Sequence, residues 1–234
     1  MSPLLRFAGR FVPEETKGMI EYHLRPYLCD KWGGPLNGQC RRLAIMTDLL
    51  AACSPTTILE TGTFRGSSTL WFALNSKAAV RSVEAVPRNY GFAKRRLRGH
   101  ANVQLHLGDS RSFLRSVPAS NKPTLIYLDA HWAEDLPLKE EVEIALERFS
   151  ECVIVVDDFE VPGDPGYGHD DYGAGKNLSL TDFPFHRDPR ITLFLPTAPS
   201  STESGKKRGC VVLAGARLAA SVSTVPSLRP AILS

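Results

Sequence analysis

Five apolar runs in this chain each end in a carboxylate. They are Ile58-Leu59-Glu60, Val83-Glu84, Leu107-Gly108-Asp109, Ile126-Tyr127-Leu128-Asp129, and Val153-Ile154-Val155-Val156 before Asp157 and Asp158. Asp and Glu together account for only 25 of 234 residues, so chance rarely tips every such run with one. In an open parallel sheet all strand C-termini share one rim, and ligands bind in the crevice there. Acids gathered on that rim could accept hydrogen bonds from ligand hydroxyls, hold a cation, or do both. The plainer alternative is that each acid caps the helix after it, as Asp commonly does. Glu60-Thr61-Gly62-Thr63-Phe64-Arg65-Gly66-Ser67-Ser68 follows the first run. Its glycines let the backbone approach a ligand closely, and the helix it opens offers free N–H groups. His131, two residues beyond Asp129, is of a type that can take a proton near neutral pH.

Positioning these residues requires strands that alternate with helices. Short apolar runs at 58–60, 79–84, 103–107, 124–129 and 152–156 read as strands, and amphipathic stretches separate them. From Gln39, residues Leu43, Met46, Leu50 and Cys53 recur at helical spacing up to Pro55. Another helix is expected from Ser67. A basic one follows from Arg88 to His100, with Ala93 and Leu97 inward and its charges solvated; a short one covers 110–116. A last one begins at Pro137 with Leu138, Val142, Ala145 and Phe149 on one face. This order predicts an α/β, doubly wound, mostly parallel sheet. Two further strands, 191–195 and 210–214, have no helix pattern between them and are expected to pair antiparallel. That makes seven strands. The polar stretch Pro199 to Arg208 between them reads as a flexible connection. Residues 1–38 carry Pro3, Pro13, Pro26 and Pro35 and read as an irregular lid segment; 219–234 reads as a loosely ordered tail.

Composition narrows the function classes. Hydrophobic residues are 43% and charged residues 23% of the chain, as in ordinary soluble globular domains. A net charge of +3 is too mild to point to nucleic acid or an anionic membrane. Five cysteines, an odd number without CxxC spacing, suit neither a disulfide framework nor a zinc site. A reducing, cytoplasmic location is expected, with Cys152 and Cys210 as small core residues. The opening MSPLLRFAGRFVPEE lacks the apolar core of a signal peptide, and no run approaches the ~20 residues of a membrane span.

ILETGTFRGSSTLWFA closely resembles the first motif of class I S-adenosylmethionine (SAM)-dependent O-methyltransferases, in particular the cation-dependent small-molecule group of the caffeoyl-CoA and catechol enzymes. The run YLDAHW…VIVVDDF is similar to the macrocin O-methyltransferase and cephalosporin hydroxylase relatives. The likeness spans about Gln39 to Asp158 and makes 39–218 the methyltransferase domain, a Rossmann-like sheet with an antiparallel last strand. It implies that Glu60 and Gly62 lie against the methionine part of SAM, with Thr63 and Ser68 of the same motif also cofactor-facing. It further implies that Glu84 accepts from both ribose hydroxyls and that Asp109 and Ser110 hold the adenine. Asp129 is expected to serve cofactor and catalysis. Asp129, Asp157 and Asp158 resemble the family's metal ligands, and converging carboxylates need a cation to offset their repulsion. All-oxygen ligation favours a divalent cation such as Mg²⁺. An Asp-Asp turn that caps local backbone is the alternative. His131 departs from the family, which carries an acid or another polar group there, and is the expected base. His169, Asp170, Asp171, Tyr167 and Tyr172 could shape the acceptor pocket, with Trp132 and Phe159 flanking it. The implied activity is O-methylation of a small hydroxyl compound, with no nucleic-acid or membrane partner and homo-oligomerisation left open. The rivals are a cephalosporin-hydroxylase-like enzyme and a non-catalytic cofactor-binding protein.

Overall fold

The computed structural model describes residues 12–131 and 135–231, so Trp132 and the first eleven residues lie outside the described part. Its sheet contains β1 (Thr57–Thr61), β2 (Ala79–Glu84), β3 (Val103–Leu107), β4 (Thr124–Leu128) and β5 (Cys152–Asp157), followed by β6 (Ile191–Pro196), β7 (Cys210–Gly215) and β8 (Leu228–Pro230). The spatial order is β3-β2-β1-β4-β5-β7-β6-β8. Strands β1 to β5 pair in parallel, whereas β7 runs antiparallel between β5 and β6. The chain reverses between β4 and β2 around β1, so the crevice of a doubly wound sheet opens at the carboxyl ends there.

Side-chain parity along the central strands divides the core in two. Leu59, Ile126, Leu128, Ile154 and Val156 face α6 (Leu138–Arg148), where Val142 and Ala145 are buried as the spacing predicts. Ile58, Leu125, Tyr127, Val153 and Val155 face α2 (Cys40–Cys53) and α3 (Ser67–Asn75). Strands covered on both faces need near-continuous apolar runs, which these are. In α2 the buried stripe is Arg42, Ile45, Met46, Leu49 and Cys53, while Leu43 and Leu50 are only partly buried. The helix is turned by about one residue from the apolar pattern because Arg42 points inward. Two more helices complete the central part, α4 (Pro87–Arg96) and α5 (Ser110–Ser116).

Three expectations need correction. Residues 14–24 are helical rather than irregular: α1 (Glu14–Leu24) lies across α4. Its buried positions are Gly18 and Glu21, so no apolar stripe announces it. A Cβ on Gly18 would come within 1.9 Å of Arg88 O, and one on Gly91 within 1.9 Å of Glu15 O. The two helices therefore touch backbone to backbone. Arg88 donates to both oxygens of Glu21 at 2.9 and 2.7 Å, and Lys94 pairs with Glu15 at 3.0 Å. The basic helix thus spends part of its charge on docking α1.

The polar stretch 199–208 is also packed down. Glu203, 6% exposed, accepts from the N–H groups of Arg41 (2.8 Å) and Arg42 (3.1 Å), which are free donors in the first turn of α2. A Cβ on Gly205 would meet Asn37 O at 2.3 Å. Lastly, the tail forms α7 (Ala219–Ser223) and β8, which pairs antiparallel with β6 and makes the sheet eight-stranded. Val222, Val225 and Leu228 hold it in the α2-side core. Among the described residues no helix is long and apolar enough to cross a membrane.

Candidate active site

A cleft of about 760 Å³ opens at the carboxyl rim. Of the residues expected there, Gly62, Thr63, Ser68, Glu84, Asp109, Ser110, Asp129, His131 and Asp158 line it; Glu60 and Asp157 do not. The parallel strands bring the acid tips to one rim, and side-chain parity then decides which of them face the cleft.

Glu60 has the parity of Ile58 and turns inward, where Thr69 Oγ1 and Ser82 Oγ (2.6 Å) donate to its Oε2. Burial raises its pKa to about 7. Glu84, the last residue of β2, is 6% exposed and borders the cleft. Its Oε2 accepts from Phe64 N (2.7 Å) and its Oε1 from Val86 N (2.8 Å). Asn89 and Ala85, also in the lining, hydrogen-bond to the same carboxylate. Burial raises its pKa against the pull of the surrounding hydrogen-bond donors, Val86 and Phe64 first among them. Beside it the turn bends through Gly62, φ +83°, where a Cβ would lie 2.2 Å from Asp129 O. No side chain caps α3, and Ser67 and Ser68 at its start line the cleft. Gly108, φ +154°, borders open space. Asp109 caps α5 by accepting from Ser112 N (2.9 Å) and pairs with Arg111 at 2.8 Å. The cap reading therefore holds for Asp109 while it also borders the cleft.

Two of the three expected metal carboxylates, Asp157 and Asp158, have other partners. Asp157 has the parity of Val153 and Val155, so it points towards α2 and is fully buried there. Arg42, 1% exposed, donates to its Oδ1, as does Asp158 N at 2.9 Å. Tyr127 Oη and Asn37 Nδ2 (3.3 Å) donate to its Oδ2. Burial pushes the Asp157 carboxyl up, but Arg42 and these hydrogen bonds outweigh that and hold it below the usual range. Asp158, in left-handed backbone at φ +55°, accepts from Arg208 Nε at 2.6 Å, and Arg208 also grips Asp170. Its pKa is nevertheless raised to about 7 by burial and by Asp157. Asp129 is also pushed well up, by burial and then by Asp157 and Asp158. Among the described residues no group of three His, Cys, Asp or Glu is arranged to hold a metal ion. The donor set does not fit one, since both oxygens of Asp157 are already saturated. Arg42 supplies the positive charge beside Asp157, and Arg208 that beside Asp158.

His131 is 7% exposed and faces the cleft. Neither ring nitrogen has a hydrogen-bond partner among the described residues. Burial lowers its pKa to about 4, so the ring is neutral at pH 7 and can accept a proton. Of the loop after β5, Asp170 and Tyr172 line the cleft. Tyr167 instead donates to Ala198 O (3.0 Å), and Asp171 accepts from Gly173 N (2.9 Å). Phe159 is a core residue, edge-on to Phe183. The sequence reading missed Lys31, Trp32, Asn37, Lys206 and Arg208 in the lining. The Gly33-Gly34 pair and the Lys206-Lys207-Arg208 cluster were the available signals.

No protein-family profile and no curated protein sequence matches the chain. Solved structures do match in fold. The O-methyltransferase TomG from Streptomyces achromogenes, involved in tomaymycin synthesis and in complex with SAM, superposes with a TM-score of 0.56 at 21% identity, covering 90% of this chain and 94% of its own. The O-methyltransferase from Bacillus cereus in complex with SAH gives 0.53 at 20%, covering 74% and 80%. A methyltransferase from Geobacter sulfurreducens gives 0.53 at 14%, covering 92% and 96%. The chain therefore has the Rossmann-like fold shared by these methyltransferases. At such identities the likeness is one of fold.

Proposed function

We propose that this chain is a SAM-dependent methyltransferase acting on the hydroxyl of a small molecule. The observation that carries the reading is Glu84, a nearly buried carboxylate at the end of β2 that lines the cleft beside the glycine-bearing turn at Gly62. The two oxygens of a carboxylate suit the two adjacent hydroxyls of a ribose. The uncapped start of α3 suits the carboxylate of the methionine part, and the open space at Gly108 suits the adenine. When bound, SAM supplies a methyl group made electrophilic by its sulfonium.

The chain's own part is to hold and deprotonate the acceptor. Neutral His131 can take the hydroxyl proton onto a ring nitrogen as the oxygen attacks. The charges of Asp157 and Asp170 act on the ring in the direction that favours the imidazolium that results. No step is routed through a metal, because two of the three carboxylates that resemble its ligands, Asp157 and Asp158, are held by Arg42 and Arg208.

Calorimetry with SAH and a screen of hydroxyl acceptors with labelled SAM test the reading. SAH is expected to bind, and Glu84→Ala to weaken binding by about 1.5–3 kcal/mol, the scale of hydrogen bonds to a charged group. Unchanged affinity in that variant would remove Glu84 from the site. Binding without turnover on any acceptor would favour the non-catalytic alternative.

A further inference from the structure

Helix α6 carries one residue that its packing does not explain. Its buried positions are Leu138, Glu141, Val142, Ile144 and Ala145, the inward stripe that meets the sheet at Leu59 and Ile126. Such a stripe calls for apolar side chains, yet Glu141 stands in it and is 0% exposed. Both its carboxyl oxygens are buried without a hydrogen-bond partner, and among the described residues no other acid is so placed. Glu60, by contrast, has Thr69 and Ser82, and Asp157 has four donors. A buried carboxyl left unpaired costs stability, so the fold gains nothing from it. The positive end of the helix dipole does not account for it either. Glu140, beside it in the first turn and half exposed, already places a charge there and pairs with Arg115 at 3.2 Å.

The surroundings lead to the cleft. Burial raises the pKa of Glu141 to about 7, against the pull of the Ser110 and Thr61 hydroxyls. Both hydroxyls are thus within reach of the carboxyl, though neither completes a bond to it. Thr61 ends β1, where its Oγ1 and its carbonyl accept from Asp129 N at 3.4 and 3.2 Å. Ser110 opens α5, is 7% exposed and lines the cleft with Gly108 and Asp109. Its hydroxyl can therefore meet the carboxyl on one side and a bound molecule on the other.

A hydroxyl has one hydrogen and two lone pairs. When the hydrogen is given to a carboxyl oxygen of Glu141, only lone pairs remain for the ligand, which must then offer an N–H or O–H. The adenine of SAM offers one in its exocyclic amine. We infer that Glu141 is a positioning residue for the adenine end of the cofactor: it takes the Ser110 hydrogen and so makes Ser110 an acceptor for that amine. This rests on the proposed cofactor site, which puts the adenine at Gly108.

The test uses the full chain and two ligands, SAH and S-inosylhomocysteine, in which an oxo group replaces the amine. By calorimetry the wild-type chain should bind SAH roughly tenfold tighter, the scale of one such hydrogen bond. Glu141→Leu should weaken SAH roughly tenfold and erase the preference. Its urea midpoint should stay level or rise, because an unpaired buried carboxyl is gone. Glu141→Gln, whose amide oxygen still accepts, should keep the preference. In a Ser110→Ala background, Glu141→Leu should have no further effect on either ligand. A preference that survives in Glu141→Leu would overturn the inference, as would its absence in the wild-type chain or its loss in Glu141→Gln. So would a lower urea midpoint for Glu141→Leu, which would make the residue structural, or a further effect in the Ser110→Ala background. Failure of SAH to bind the wild-type chain would instead bring down the cofactor reading itself.

Discussion

Asp157 ends a strand at the rim of the cleft, yet it accepts four hydrogen bonds and sees no solvent. One donor is the guanidinium of Arg42, whose other amino group donates to Arg208 O (2.8 Å) and Gly209 O (2.7 Å). Removing one member of such a pair strands a buried charge. Arg42→Met is therefore expected to destabilise the protein by about 3–5 kcal/mol, read from urea denaturation. A loss below about 1 kcal/mol would equate the pair with a surface ion pair. Because guanidinium groups supply the local positive charge, chelator treatment should leave both methyl transfer and the unfolding midpoint unchanged. The acids Asp129, Asp157 and Asp158 were legible as a convergent set, since strand tips in a parallel sheet must meet. Their counter-ions were not. Arg42 lies 115 positions from Asp157 and Arg208 lies 50 from Asp158, and no local pattern connects such partners.

The same contrast holds for the elements. Strands buried on both faces are written as apolar runs, and all five parallel ones stand where those runs predict. Element α1 escaped because it docks through Gly18 and charged pairs rather than an apolar stripe. The stretch 199–208 escaped for a related reason, its work being done by polar groups. Glu203 satisfies two of the donors at the start of α2 and places a negative charge at the positive end of the helix dipole. Glu203→Ala is expected to cost about 0.5–2 kcal/mol, the range for lost N-terminal caps. Replacing Ser200 to Lys206 with a Gly/Ser run of equal length should lower the melting temperature further, since it also disturbs the close packing on Asn37. A melting temperature unchanged by the replacement would restore the flexible-connection reading.

Across the whole molecule, buried ionisable groups give stability a pH dependence in two opposing windows. His131 has its folded pKa near 4, below the ordinary 6.5, so its contribution is complete above about 6.5 and is lost as pH falls towards 4. Glu60 and Glu141 have folded values near 7, above the ordinary 4.5. Their contribution is complete below about 4.5 and is lost as pH rises through 7. Denaturation at a series of pH values should show His131→Gln losing less stability than wild type between pH 6.5 and 4. Glu60→Gln should lose less between 4.5 and 7. Parallel curves for variant and wild type would mean that these groups titrate alike in the folded and unfolded chain. The Arg42–Asp157 pair also has a consequence for how the protein is made. Ribosomes add roughly 5–20 residues per second, so Arg42 is synthesised roughly 6–23 s before its carboxylate. The carbonyls of Arg208 and Gly209 that receive its other amino group arrive later still. During that interval α2 has an inward-facing charge with nothing to neutralise it, which opposes early burial of its apolar stripe. The wall of the cleft nearest the N-terminus is thus among the first parts translated and the last to set.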